Sequence, residues 1–240
     1  MTWSIVAKDA SGNLGVAVAS RFFAVGALCP HVRGGVGALA TQALVNPLYA
    51  TPALDAMARG DDPQAIIAAL VAADPGRAHR QIHMIDASGR VAAHTGGSCI
   101  EWSGQMRGRD YSVAGNMLAD GDVLNTTAAA YETSEGRPLA ERLIAALMAG
   151  EAAGGDKRGK QAAALRVCTT EDYPALDLRV DDHDEPLTEL RRLYEKSMER
   201  FQPFVACLPS RARPAGICDR AVIEAEIERF HAARAQAPGA

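Results

Sequence analysis

The chain has 240 residues, 48% of them hydrophobic, enough for one large packed domain or two small ones. Its 25 Lys and Arg against 29 Asp and Glu give a formal net charge of -4, without the basic footprint that phosphate backbones select, so nucleic acid is excluded as an expected partner. No run of roughly 20 apolar residues suits a bilayer span, and no basic segment, apolar run and small-residue cleavage site open the chain, so a cytoplasmic protein with no membrane partner is expected.

Thr2 to Ala7 alternates, with Thr2, Ser4 and Val6 on one face and Trp3, Ile5 and Ala7 on the other, as a strand requires. Asp9 to Asn13 supplies turn residues, and Leu14 to Ser20 reads as the antiparallel partner in an opening hairpin. Val36 to Gln42 is a third strand, apolar enough to be covered on both faces. The preceding Gly34-Gly35-Val36-Gly37 carries no lysine and marks a close backbone approach rather than a phosphate loop. From Pro52 to Ala73 apolar residues recur at three and four, and the break at Gly60 to Pro63 predicts two helices, with Asp62 capping the second and Pro63 in its first turn. Arg80 to Asp86 and Arg90 to His94 flank Ala87-Ser88-Gly89 as a second hairpin, and Tyr111 to Gly115 is another strand. Asp120 to Glu132 and Pro138 to Ala149 are the next helices, the latter stopped by Gly150. Gln161 to Cys168 and Ala175 to Val180 return to strand composition, and Pro186 to Phe201 carries Leu187, Leu190, Tyr194, Met198 and Phe201 on one helical stripe.

Beyond Val205, Pro209 and Pro214 mark a linker, and Asp219 to Arg234 is an amphipathic helix that packs on another subunit, giving a homo-oligomer, or merely caps the domain. The expected division is therefore a domain over 1–205 and a linker with a helical extension over 206–240. Strands, helices, strands and helices in that order favour an α+β fold, and two sheets covered by outer helices would form a four-layer αββα sandwich. The five cysteines are odd in number and lack a C-x-x-C pair, which fits reduced thiols. G-x-G-x-x-G, the P-loop and G-x-S-x-G are all missing, so no dinucleotide, nucleotide or other cofactor is expected.

Chemistry is expected first at Thr2. Met1 precedes a small residue, the context in which an initiator methionine is commonly removed, and its removal leaves a threonine with a free amine beside its hydroxyl. A neutral α-amine, with a pKa of about 7.7 to 8.0, accepts the hydroxyl proton while the oxygen attacks a carbonyl. Many chains begin Met-Thr without that meaning; what adds weight here is a strand that starts at the same residue. The segments TWSIVAKD (2–9), LGVAVASRFFAVGA (14–27), GVGALATQALVNPLY (35–49), GRVAAHTG (89–96), GNML (115–118), GGDKRGKQAAAL (154–165) and DLRVDDH (177–183) resemble, in matching order over roughly 2–200, the family of domain of unknown function 1028. That family is regarded as Ntn-hydrolase-like, meaning hydrolases whose nucleophile is the first residue of the mature chain. The resemblance implies an αββα sandwich, Thr2 as nucleophile, and hydrolysis of an amide in a small or peptide-like substrate through an acyl-enzyme. The position of Ala162, often serine in the family pattern, is a departure.

Other residues carry two readings each. Ser4 shares the face of Thr2, so it either touches the nucleophile, or attacks itself should Met1 stay, or is a buried hydroxyl bonded to backbone. Arg21 either binds a substrate carboxylate in a bidentate pair or pairs with a surface acid. Asn116 is either an oxyanion donor, of the kind worth roughly 2.7 to 4 kcal/mol in acyl transfer, or shapes a turn after Gly115. Gln42 offers its amide to substrate or is satisfied within the fold, and His94 is an acid or orienting group, or a hydrogen-bonded structural histidine. Asp156 with Arg158 forms an ion pair at the cleft floor, or belongs to a solvated loop with Lys157 and Lys160. Asp181-Asp182-His183 is read as an acidic lead into a helix rather than a metal site, and no metal is expected. A non-catalytic protein that binds a small molecule in the same fold is the competing reading.

Overall fold

A computed structural model describes residues 2–171 and 173–236. The chain folds as a mixed α+β protein with two antiparallel sheets and helices, and divides into two compact units, Met1–Leu190 and Arg191–Ala240. In the first half of the chain lie β1 (Thr2–Lys8), β2 (Leu14–Ser20), β3 (Pro30–Arg33), β4 (Gly37–Ala43), α1 (Ala50–Ala58), α2 (Pro63–Ala73), β5 (Arg80–Asp86), β6 (Val91–Thr95), β7 (Gly104–Gly108) and β8 (Tyr111–Asn116). There follow α3 (Asp122–Thr133), α4 (Leu139–Ala152), β9 (Ala162–Cys168), β10 (Leu176–Val180), α5 (Pro186–Ser197), α6 (Phe201–Val205) and α7 (Arg220–Ala235).

Local chemistry explains the elements the sequence made visible. Asp9 closes the opening hairpin by accepting from the amides of Ser11 and Asn13, each at 2.9 Å. Asp62 caps α2 by accepting from Gln64 and Ala65, with Pro63 in the first turn where its missing N–H costs nothing. β1 is paired on both sides, and the larger sheet runs β10-β9-β2-β1-β8-β7, while the smaller runs β3-β4-β5-β6. The helices α3 and α4 pack on the larger sheet, α1 and α2 on the smaller, and the two sheets also pack on each other through β1, β2 and β8 against β3, β4 and β5. Between the sheets lies an apolar cluster that includes Val6, Val16, Val18, Ala38, Ala40 and Ile85. A second cluster, with Leu39, Leu54, Met57, Ile66, Ile82 and Met84, joins the smaller sheet to α1 and α2. Alternate residues of each strand therefore serve different layers, as a period of two demands.

Four expectations are corrected. β3 and β7 are strands that no alternation announces: one is four residues long, and the other, GQMRG, has glycine at both ends. The third strand begins at Gly37 rather than Val36 and extends to Ala43. Gly150 does not stop α4, which continues to Ala152. A Cβ on Gly150 would lie 2.2 Å from Thr127 Oγ1 and 2.9 Å from Trp3 Nε1, so this glycine lets α4 approach β1 and α3 closely. The long stripe from Pro186 breaks after Ser197, and Phe201 begins α6 with half its surface exposed.

Within the second unit, Asp219 caps α7 by accepting from the Ala221 amide, and Arg200 pairs with Glu224. The four buried cysteines and the exposed Cys218 are all free thiols. Among the described residues no helix is long and apolar enough to cross a membrane.

Candidate active site

Because β1 runs antiparallel to both neighbours, its first residue meets the last residues of β2 and β8, and Thr2 stands opposite Ser20 and Asn116. A cleft of about 410 Å³ opens at this end of the strands, within the size range of small-molecule sites. Thr2, Gln42 and Asn116 line it together, from β1, β4 and β8, with Arg158 at its edge. Thr2 is 7% exposed, and its hydroxyl lies 3.0 Å from the Ser20 hydroxyl. The side-chain amides of Gln42 and Asn116 each reach the Thr2 carbonyl oxygen at 3.5 Å, which is long for a hydrogen bond and leaves one N–H on each amide lightly held.

Behind these three residues a chain of buried polar groups has a determinable direction. Gln81 Nε2 donates to the carbonyls of Gly104 and Gly115 at 3.0 and 2.9 Å, which can only accept, so Gln81 Oε1 must point the other way. That oxygen accepts from Gln42 at 2.7 Å and from Asn116 at 3.1 Å, fixing both amides. Gln42 Oε1 then accepts the Ser4 hydroxyl proton at 2.7 Å, and Ser4 Oγ lies 2.8 Å from His83 Nε2. His83 Nδ1 faces Ser112 Oγ at 3.1 Å, a hydroxyl that itself donates to the Met106 carbonyl at 3.2 Å. Burial drives the His83 pKa down from 6.5 to about 3, so the ring is neutral at physiological pH.

The cleft walls are fixed by separate devices. Asp74 accepts from the Tyr49 hydroxyl at 2.6 Å and from Arg80 Nε at 2.9 Å, while Arg80 Nη1 holds the Leu44 carbonyl at 2.7 Å, tethering the segment after β4. The Tyr49 hydroxyl bond, followed by Arg80, keeps the Asp74 carboxyl well below the usual range. Burial and then Asp74 push Tyr49 up to about 12. On the opposite wall the Met117 amide donates to Ile100 O at 2.8 Å and Ser98 to Ala78 O at the same distance. Ala43 and Met117, both in the lining, hold left-handed backbone angles with φ of 67° and 55°. Such conformations cost of order 1–2 kcal/mol in a non-glycine residue and gather at functional sites. Cys29 and Cys99 also line the cleft, where burial raises both thiols above their ordinary pKa and so favours the protonated form.

Of the residues singled out in the sequence, Thr2, Gln42 and Asn116 come together at the cleft, with Ser4 fully buried one step behind them. Asp156 is buried in the loop before β9, where it accepts from the amides of Arg21 at 3.1 Å and Arg158 at 2.8 Å and pairs with the Arg158 guanidinium at 3.3 Å. Arg21 projects an exposed side chain whose Nη1 donates to the Arg158 carbonyl, outside the lining. His94 lies on β6, its Nε2 3.3 Å from the Arg77 carbonyl, also outside the lining. Met1, whose removal would free the Thr2 amine, lies outside the described residues. Asp181 and Asp182 are taken by Arg179 and Gln161, and among the described residues no group of three or more His, Cys, Asp or Glu is placed to hold a metal ion. Ser20, Gln81, His83 and Ser112 were not singled out. The signal for two of them was present: Gln81 and His83 interrupt the apolar pattern of β5 at alternate positions, on one face.

The family model described as "Family of unknown function (DUF1028)" matches residues 2–190. The crystal structure of protein SPO2555 from Silicibacter pomeroyi, titled with the same family, superposes with a TM-score of 0.84 at 30% sequence identity, covering 91% of this chain and 96% of that one. Anbu (ancestral beta-subunit) from Yersinia bercovieri superposes with a TM-score of 0.40 at 13% identity, covering 87% of this chain and 98% of that one. No curated protein matches the chain.

Proposed function

This chain belongs to the DUF1028 family, and from that premise we propose that it is an N-terminal-nucleophile hydrolase of small amides, built as a four-layer αββα sandwich. The observation that carries the proposal is the placement of Thr2: the first residue of a doubly paired central strand, lining a cleft together with the side-chain amides of Gln42 and Asn116. With Met1 removed, the Thr2 amine takes the hydroxyl proton as Oγ1 attacks the substrate carbonyl carbon. The tetrahedral intermediate collapses as that proton passes to the departing nitrogen, leaving an ester on Thr2. Water, deprotonated by the same amine, then releases the acid and restores the hydroxyl. Asn116 and Gln42 supply N–H donors for the oxyanion, and Gln81 sets their direction. Asp156 acts as a positioning residue, fixing the loop that carries Arg158. A cytoplasmic setting belongs to the same proposal and accords with the free thiols.

A second reading, a binding protein that does not turn its ligand over, is favoured by one fact: the firm bonds of both amides go to Gln81 rather than toward the cleft. The two are separated by intact-mass measurement of protein from the native cell, followed by a panel of chromogenic amides. Loss of Met1 and turnover abolished by Thr2→Ala are expected of the hydrolase. Retention of Met1 in every molecule, or equal turnover by the variant, overturns it.

A further inference from the structure

Large apolar side chains exposed on a protein surface are ordinarily scattered, and a converging set marks a place where something apolar is received. Here Leu44 is 62% exposed, Ile100 61%, Phe22 51% and Leu28 37%, and all four line the cleft that holds Thr2, with Val25 and Val45 continuing the wall. They come from separate segments: the loop after β2, the segment after β4, and the loop before β7. Two of the segments are tethered, by Arg80 to Leu44 and by Met117 to Ile100, so the apolar rim is held in place. Among the described residues the lining holds no Asp or Glu to serve a cationic ligand as counter-ion. The guanidinium that the described lining does hold, on Arg158, already lies 3.3 and 3.4 Å from the Asp156 carboxylate, with which an anionic ligand would have to compete.

We infer that the ligand of this cleft is an amide carrying an uncharged hydrocarbon arm beside its carbonyl, seated on Phe22, Leu28, Leu44 and Ile100. The inference rests on the hydrolase proposal for the amide, while the hydrocarbon arm rests on the cleft walls alone. Burial of each methylene in such a site tightens binding by about three- to fourfold.

The test uses full-length Thr2→Ala protein, which holds ligand without turnover, titrated calorimetrically with the p-nitroanilides of acetic, butyric, hexanoic and succinic acids. Affinity should climb by roughly tenfold for each two carbons from acetyl to butyryl to hexanoyl, and succinyl should bind more weakly than butyryl. Leu44→Ser combined with Ile100→Ser should flatten that climb while the melting temperature holds, since both side chains are already exposed. If the double variant fails to fold, Leu28→Ser gives the same readout. Affinity independent of arm length, or a preference for the succinyl arm, overturns the inference. If unsubstituted protein binds the hexanoyl compound but never releases p-nitroaniline, the hydrolase proposal falls and the hydrocarbon preference stands. If it releases p-nitroaniline only from acetyl or succinyl arms, the hydrocarbon preference falls and the hydrolase proposal stands.

Discussion

At the scale of single residues, Thr2 is singled out by its Met-Thr context at the start of an alternating strand, Gln42 by its place at the end of an apolar run and Asn116 by its place just after a strand, and all three line one cleft. Gln81 and His83 were legible as polar breaks in a strand, but which sheet they would face depended on pairing between residues more than 30 positions apart. Arg21 and His94 have the same strand-end character as Gln42, yet neither lines the cleft, and their side chains lie against the backbone carbonyls of Arg158 and Arg77. The structure thus separates residues that local pattern treats alike. Asn116→Ala should lower kcat by about 10²–10³, the effect of losing one oxyanion donor, measured on whichever amide proves a substrate, with some loss of stability because the buried amide also bonds Gln81. Gln81→Leu should act differently. It strands two buried amides and two carbonyls, each costing about 1–3 kcal/mol when unsatisfied, so urea denaturation should register a loss of at least about 2 kcal/mol.

At the scale of elements, helices with caps and strands with alternation were visible, whereas β3 and β7 were not, since neither carries enough alternating apolar residues to be told from loop. Gly150 misled because glycine in a helical pattern has two physical meanings, a terminus or a point of close approach, and only the neighbouring Thr127 and Trp3 decide between them. Gly150→Ala should therefore destabilise the protein by about 1–3 kcal/mol despite the better helix propensity of alanine, checked by chemical denaturation. Ala43 supplies the opposite case. Its φ of 67° suits glycine, so Ala43→Gly should raise the denaturation midpoint, by up to about 1 kcal/mol. A fall in stability would show that the alanine methyl contributes more packing than its backbone angle costs.

At the scale of the whole molecule, the division into two sheets with helices was foreseen from element order, while the polar column joining the sheets was not, because it exists only once β1, β4, β5 and β8 are stacked. That column has a thermodynamic consequence. His83 has a folded pKa of about 3 against 6.5 in the unfolded chain, so as the pH falls below 6.5 the unfolded chain takes up a proton that the folded protein refuses. The stability His83 leaves intact above pH 6.5 is lost as the pH drops toward 3. One such group should remove about 2 kcal/mol between pH 7 and 5, a window in which most carboxylates stay ionised. His31, also lowered by burial, shifts stability in the same direction. The difference between the parent and His83→Gln in denaturation midpoint across that window isolates the buried ring, and parallel curves would show that it titrates normally. Finally, the pairing of Thr2 with Ser20 on one flank and Asn116 on the other dictates how the protein should be handled. With Thr2 held there, a purification handle fused ahead of it would keep the nitrogen that the proposed chemistry needs inside a peptide bond, so assays belong on preparations tagged at the opposite terminus.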